Sequence, residues 1–286
     1  MQGVISEDQS GQRLDVYVAA SMPRLSRAFI QKLCDEGRVT VNGGIEKQGY
    51  KLREGDKIAV EYDEAEFGQV DEIDLPILYE NDDCVVINKP AGVLTHALGK
   101  HGNEASVASF LRDKVTGIDG DRAGIVHRLD RATSGVIVGA KNQAALSALQ
   151  KQFSQRKTKK TYVAVVEGRL DPKEAVIDMP IERNPKAPAT FRVGPNGKLS
   201  QTHYKVLKEG DKYSLVELKP VTGRTHQLRV HLTKVGHPIV GDPLYGSGTY
   251  GDRLYLHALS LEITLPGGER KTFLAPLPDE FNDLVI

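Results

Sequence analysis

The chain has little of what marks several protein classes. Its 286 residues include only two cysteines, Cys34 and Cys84, far apart and without CxxC spacing. That argues against a disulfide framework or a cysteine-rich zinc site and fits a reducing compartment, with both thiols acting as small buried apolar groups. Net charge is missing too: 38 Lys and Arg balance 38 Asp and Glu. No global basic excess advertises a polyanion, although a binding face needs only local positive charge. No apolar run approaches membrane-spanning length, and the opening MQGVISEDQSGQRLD lacks the apolar core of a secretory leader. Internal repeats and low-complexity tracts are also lacking. What remains is the profile of a soluble, cytoplasmic globular protein, long enough for about two domains.

Helical and strand periods then divide the chain. Leu14, Tyr17 and Val18 predict a short helix over 13–20. Phe29, Ile30, Leu33 and Cys34 form the apolar face of a second over 27–36, with Ser26 as N-cap and Gly37 as stop. Val39, Val41, an Asn42-Gly43 turn, and Ile58, Val60 and Tyr62 predict a small sheet. Residues 1–62 thus make a domain of marginal size, suited to attachment to something larger. The acidic, aperiodic stretch 63–75 reads as a linker to a second domain over 76–286. There, a hairpin is expected from 77–79 and 84–87, helices over 105–112, 143–153 and 224–235, and strands at 161–166, 202–207, 213–218 and within 254–265. Residues 181–200, rich in Pro, Lys and Gly, predict an irregular, mobile loop, and the C-terminus a closing loop. Regular βαβ alternation is missing, which favours α+β over a doubly wound sheet.

One stretch, Gly124–Asn142, concentrates chemistry. Its apolar runs 124–126 and 136–138 predict two strands holding the polar insert HRLDRATSG between them. Asp130, with Arg128 and Arg131 beside it, can stay ionised out of water, although a surface salt bridge would show the same spacing. The basic run 155–160 precedes a β-branched strand, which suits a polyanion or equally complements a helix C-terminus. Other motifs fail. His127-Arg128-Leu129-Asp130 lacks kinase order, and no DFG follows. Gly99-Lys100 is followed by His101 and lacks P-loop spacing. His226 and His231 point about 140° apart on a helix, and HExxH is absent. No second carboxylate near Asp130 supplies a glycosidase pair. No metal, nucleotide or organic cofactor is expected, and the trio Asp130, Tyr162 and Arg229 remains.

These residues lie in segments that resemble a known family. GIVHRLDRATSGVIVGAKN, KTYVAVVEG and GRTHQLRVHLTKVGHPIVGDPLYG look like the signature regions of RluA-type pseudouridine synthases, and INKPAGVLTH and LYLHALSLEITLP extend the likeness over roughly residues 75 to 280. In front, RLDVYVAA, LSRAFIQKLCDEGRVTVNG and KLREGDKIAV resemble the S4 RNA-binding domain. The resemblance implies an α+β chain: an S4-like αL RNA-binding domain, then a catalytic domain with a mixed, largely antiparallel sheet and flanking helices. The implied reaction is isomerisation of uridine to pseudouridine within structured RNA, with no cofactor. An S4 domain on this catalytic domain points to large-subunit (23S) rRNA over tRNA.

By carry-over, Asp130 is the catalytic aspartate, Arg229 its ion-pair partner, and Tyr162 stacks on a flipped base. Attack at C1′, addition to the uracil ring and a glycal route all stay open. Arg128, Arg131, Lys160 and Arg224 become candidate RNA contacts, as do Arg24, Ser26, Arg27, Lys32, Arg38 and Asn42 in the S4-like segment. Lys89, Pro90 and GHPIVGDPLYG read as structural. Two departures from the family pattern, Ala97 and Phe191, are expected to lie away from the trio. Rival readings are an RNA-binding or ribosome-assembly factor and an Asp130-dependent hydrolase, the latter without a visible group to activate water. A monomer is the default.

Overall fold

A computed structural model describes residues 1–22, 25, 27–62, 72–96, 104–118, 120, 122–248 and 253–286, without the side chains of 27–28. The N-cap expected at Ser26 and the departure at Ala97 lie outside them. The chain divides into two compact units, residues 1–73 with 96–123, and residues 74–95 with 124–286.

In the first unit, strands β1 (Gln2–Val4), β2 (Val39–Val41), β3 (Gly44–Ile45) and β4 (Lys57–Val60) form a sheet of order β1-β4-β2-β3. Helices α1 (Leu14–Ser21) and α2 (Arg27–Asp35) contribute Leu14, Val18, Ile30 and Leu33 to a core shared with Val39, Val41, Ile58 and Val60. The spacing of these residues had to put them on one face of each element. α2 closes where Gly37, at φ 73, lets Arg38 N–H reach Leu33 O at 2.8 Å, satisfying a terminal carbonyl. Asn42 and Gly43, at φ 52 and 79, form the left-handed pair that suits the strand twist of the β2–β3 hairpin. Strand β1 was not foreseen, because three residues of alternating exposure carry almost no period. Helix α3 (Val107–Arg112) is capped by Ser106 and Ser109, each hydroxyl accepting the other's backbone N–H.

The second unit is built on a nine-stranded sheet among the described residues. Its strands are β5 (Ile77–Glu80), β6 (Cys84–Lys89), β7 (Ser134–Ala140), β8 (Lys159–Glu167), β9 (Glu174–Asp178), β12 (Gln201–Glu209), β13 (Tyr213–Pro220), β14 (Leu256–Thr264) and β15 (Arg270–Leu274). Between β9 and β12 stands the separate hairpin β10 (Ile181–Arg183) and β11 (Phe191–Val193). Order runs β5-β6-β7-β14-β8-β13-β12-β9, with β15 also on β14; among the described residues only β7–β14 is parallel, so the sheet is mixed and largely antiparallel. Alternation along β8 sends Ala164 and Val166 to one face, where they meet Leu228 and Leu232 of α5 (Gln227–Lys234). Val163 and Val165 face the other way and meet Phe281 of α6 (Glu280–Asp283) and Val285. Helix α4 (Gln143–Ser154), capped by Asn142, packs on β7 and β14. No helix among the described residues is long and apolar enough to cross a membrane.

Three expectations need correction. Gly124–Val126 is not a strand: β6 occupies one edge of β7 and β14 the start of the other, leaving room only for an Ile125–Gly139 bridge. Residues 181–200 are not an irregular loop but carry β10–β11, whose three-residue strands are too short to show through the Pro and Gly of their turns. The C-terminus adds β15 and α6 where a loop was expected.

Candidate active site

The loop leading into β7 is fixed from below by short polar contacts. Thr95 Oγ1 donates to Leu129 O at 2.8 Å and accepts Leu129 N–H at 3.1 Å. Lys89 is wholly buried, and its ammonium donates to the carbonyls of Pro90, Val93 and Arg131 at 2.9, 2.9 and 3.2 Å. Burial pushes this amine down to about 7, against the pull of Asp130. His127 stacks on Phe153 with ring centroids 4.4 Å apart, and its Nε2 accepts Val138 N–H at 3.1 Å, which needs a neutral ring. Burial and then Lys160 push it down to about 3.

The loop's far end is held as firmly. Ser134 Oγ accepts from Arg253 at 2.7 Å and lies 2.9 Å from His257 Nδ1. Next to it Gly135, at φ 111, runs so close to β14 that a Cβ would stand 2.2 Å from Ala258 O; only glycine fits. These contacts present Asp130 at the wall of a cleft of about 480 Å³, where Tyr162 of β8 and Arg229 of α5 also stand.

Two carboxylates share the Arg229 guanidinium. Asp242 takes the fork, accepting Nε at 2.7 Å and Nη2 at 2.6 Å. It also accepts the N–H groups of Leu244 and Tyr245 at 2.9 and 3.1 Å. Asp130 receives what is left: Arg229 Nη1 lies 3.3 Å from its Oδ2, with His226 Nε2 at 3.7 Å. Burial alone would lower Arg229, but Asp242 and then Asp130 hold the guanidinium above its usual value. The Tyr245 ring lies 5.0 Å from that guanidinium. Tyr162 is pushed upward by burial and next by Asp130, so its phenol keeps its proton. Lys160 is lowered by burial and then by Arg156.

Of the residues singled out from sequence, the structure brings Asp130, Tyr162, Arg229, Arg128, Lys160 and Arg224 around this cleft. Arg131 does not line it; its Nε donates to Gly92 O at 3.0 Å. In the first unit Lys32 and Arg38 pair with Glu36 at 3.5 and 3.7 Å. Asn42 donates to Asp56 at 2.8 Å and accepts Lys57 N–H at 2.9 Å, so its amide serves the hairpin. Arg24, Ser26 and the Arg27 side chain lie outside the described residues.

Asp242 and Tyr245 lie in GHPIVGDPLYG, the segment expected to be structural, and His226 stands out in the sequence only as a metal-ligand candidate. Phe191 is also closer than expected: its ring meets His226 edge-on at 5.7 Å and its N–H donates to Tyr245 Oη at 2.8 Å. The available signal was a buried-helix arginine needing a carboxylate, and an Asp-Pro turn 13 residues on that could supply one.

Comparison with known proteins gives the site a context. Residues 83–234 match the family model described as RNA pseudouridylate synthase, and residues 12–58 match the S4 domain. The chain is 37% identical over 288 residues to an uncharacterized RNA pseudouridine synthase of Bacillus subtilis, YlyB, covering 98% of this chain and 95% of that one. It is 34% identical over 295 residues to the ribosomal large subunit pseudouridine synthase C of Vibrio cholerae, covering 96% and 92%. Among solved structures, human RNA pseudouridylate synthase domain containing 1 matches with TM-score 0.60 and 32% identity, over 71% of this chain and 83% of that one.

Proposed function

The chain belongs to the RNA pseudouridylate synthase family, isomerases acting on RNA, and on that premise we propose that it converts specific uridines of large-subunit ribosomal RNA, with Asp130 as the catalytic carboxylate. Relatives named ribosomal large subunit pseudouridine synthase C and D support the substrate class. The observation that carries the site is the unequal sharing of Arg229. Among the described residues Asp130 accepts one hydrogen bond, leaving lone pairs open to the cleft.

The reaction breaks the N1–C1′ bond, turns the uracil and forms a C5–C1′ bond, after which C5 gives up its proton and N1 gains one. An ionised carboxylate beside the sugar serves it by attacking C1′, by adding to the ring or by taking a sugar proton. Tyr162 offers an aromatic face to a flipped base, and its protonated phenol can hydrogen-bond that base. Extrusion from structured RNA costs about a few kcal/mol. Arg128, Lys160 and Arg224 meet phosphates at the cleft, with Arg131 at the adjoining loop. Residues 1–62 act as the RNA-holding module, through Arg24, Ser26, Arg27, Lys32 and Arg38, and residues 76–286 as the catalytic domain.

Incubation with 23S rRNA and tRNA transcripts, then carbodiimide labelling and primer extension, tests the reading. New stops in 23S rRNA are expected. Modification of tRNA alone would overturn the substrate assignment, and tight binding without any product would favour the binding-factor reading.

A further inference from the structure

His226 stands at the entry to α5 with φ 56 and ψ 18, left-handed backbone that a non-glycine residue seldom adopts. Such a conformation is kept where surrounding contacts hold it, and it is concentrated at functional sites. Here the contacts grip the ring from both sides. Nδ1 lies 2.8 Å from Tyr245 Oη, and that oxygen already accepts the N–H of Phe191 at 2.8 Å. With Phe191 filling one acceptor site, the Tyr245 hydroxyl can give its proton to Nδ1, an arrangement that makes Nδ1 an acceptor and leaves the ring proton on Nε2. Nε2 faces Oδ2 of Asp130 at 3.7 Å, the same oxygen that Arg229 touches. At 3.7 Å the pair is within ion-pair range and longer than a hydrogen bond.

We propose that His226 is a positioning residue for the isomerisation: its Nε2–H, aimed by Tyr245 and Phe191, holds Oδ2 of Asp130 so that Oδ1 is presented to the reacting nucleotide. This rests on Asp130 being the catalytic carboxylate. It also gives the β10–β11 hairpin a part in the site, because Phe191 is the hairpin's contribution to the chain of contacts. The charged and titratable groups facing the imidazole are Asp130, Asp242, Arg229, Arg128 and Tyr245. Burial, aided by the two arginines, outweighs the two carboxylates and lowers the ring below its ordinary value. The neutral tautomer is thus the working form. Protonation would displace the Tyr245 hydrogen bond and draw Asp130 into a closer ion pair.

The test measures kcat and KM from about pH 5 to 9 on an RNA that the wild-type protein modifies. His226→Ala is expected to lower kcat by about tenfold or more, with KM within about twofold. His226→Gln, whose amide N–H reaches the same oxygen, should recover most of that loss and flatten the acid limb of the profile. His226→Asn tolerates the left-handed backbone but is too short, and should stay impaired. Tyr245→Phe should shift the acid limb. Wild-type kcat in His226→Ala, a loss confined to KM, or recovery by Asn and not Gln would each overturn the proposal. Asp130→Asn run in parallel separates the two readings: if it is inactive while His226→Ala is normal, only this inference fails, whereas an active Asp130→Asn removes its premise.

Discussion

Asp130 and Asp242 lean on the same guanidinium and have opposite characters. The Asp242 side chain is 0% exposed and takes two guanidinium contacts and two backbone N–H groups. Asp130 is 21% exposed and takes one guanidinium contact. A carboxylate whose acceptor sites are filled works as an anchor; one left underfilled beside a cleft can work as a reagent. Residue type does not separate them. What differs is which side of Arg229 each one meets.

The strongest way to break this contrast is Asp130→Asn. It should reduce pseudouridine formation by at least about 1000-fold while RNA affinity in filter binding stays within about threefold. Loss of binding along with rate would make Asp130 an anchor too. Next comes stability. Asp242→Ala strips a buried arginine of its fork and should cost about 3–5 kcal/mol in urea unfolding. Asp130→Ala, leaving that fork intact, should cost under about 1 kcal/mol. Equal losses would erase the distinction.

Gly135→Ala probes the loop that carries Asp130. Its Cβ would fall 2.2 Å from Ala258 O at a positive φ, so a loss of about 3 kcal/mol is expected, together with most activity. Acid sensitivity tests how the loop is braced. Both histidines bracing this loop are held below the ordinary 6.5, His127 to about 3 and His257 to about 4, in each case chiefly by burial. As pH falls below 6.5 the unfolded chain takes up protons that the folded chain refuses, so stability present above 6.5 declines towards pH 4. The slope is about 1.4 kcal/mol per pH unit for each ring. His257→Gln should remove one proton's share of it, read from urea midpoints across this range.

Much of this was legible in the sequence. HRLD sets charged residues between apolar runs, so Asp130 stands out, whereas Arg229 has polar neighbours on its helix and its pairing with Asp130 came from the family resemblance; the periods of α2, α4 and β8 place those elements where the structure has them. Asp242 was not legible as a partner, since the Arg229 fork depends on how the chain turns back after α5. The Phe191–Tyr245–His226 chain was invisible for a similar reason: its members lie on a short hairpin, a turn and a helix entry, and no local period links them. Short strands such as β1, β10 and β15 escape notice because three to five residues hold too little pattern.

The parallel pairing of β7 with β14 also bears on biosynthesis. Ser134 and Gly135 leave the ribosome more than a hundred residues before their partners His257 and Ala258. Until then a nascent chain carries β7 with one edge bare, a template for mispairing. The N-terminal segment, whose core is complete by Val60, is under no such delay. A translation product cut short before residue 256 would therefore keep an intact amino-terminal module joined to a sheet missing its central strand.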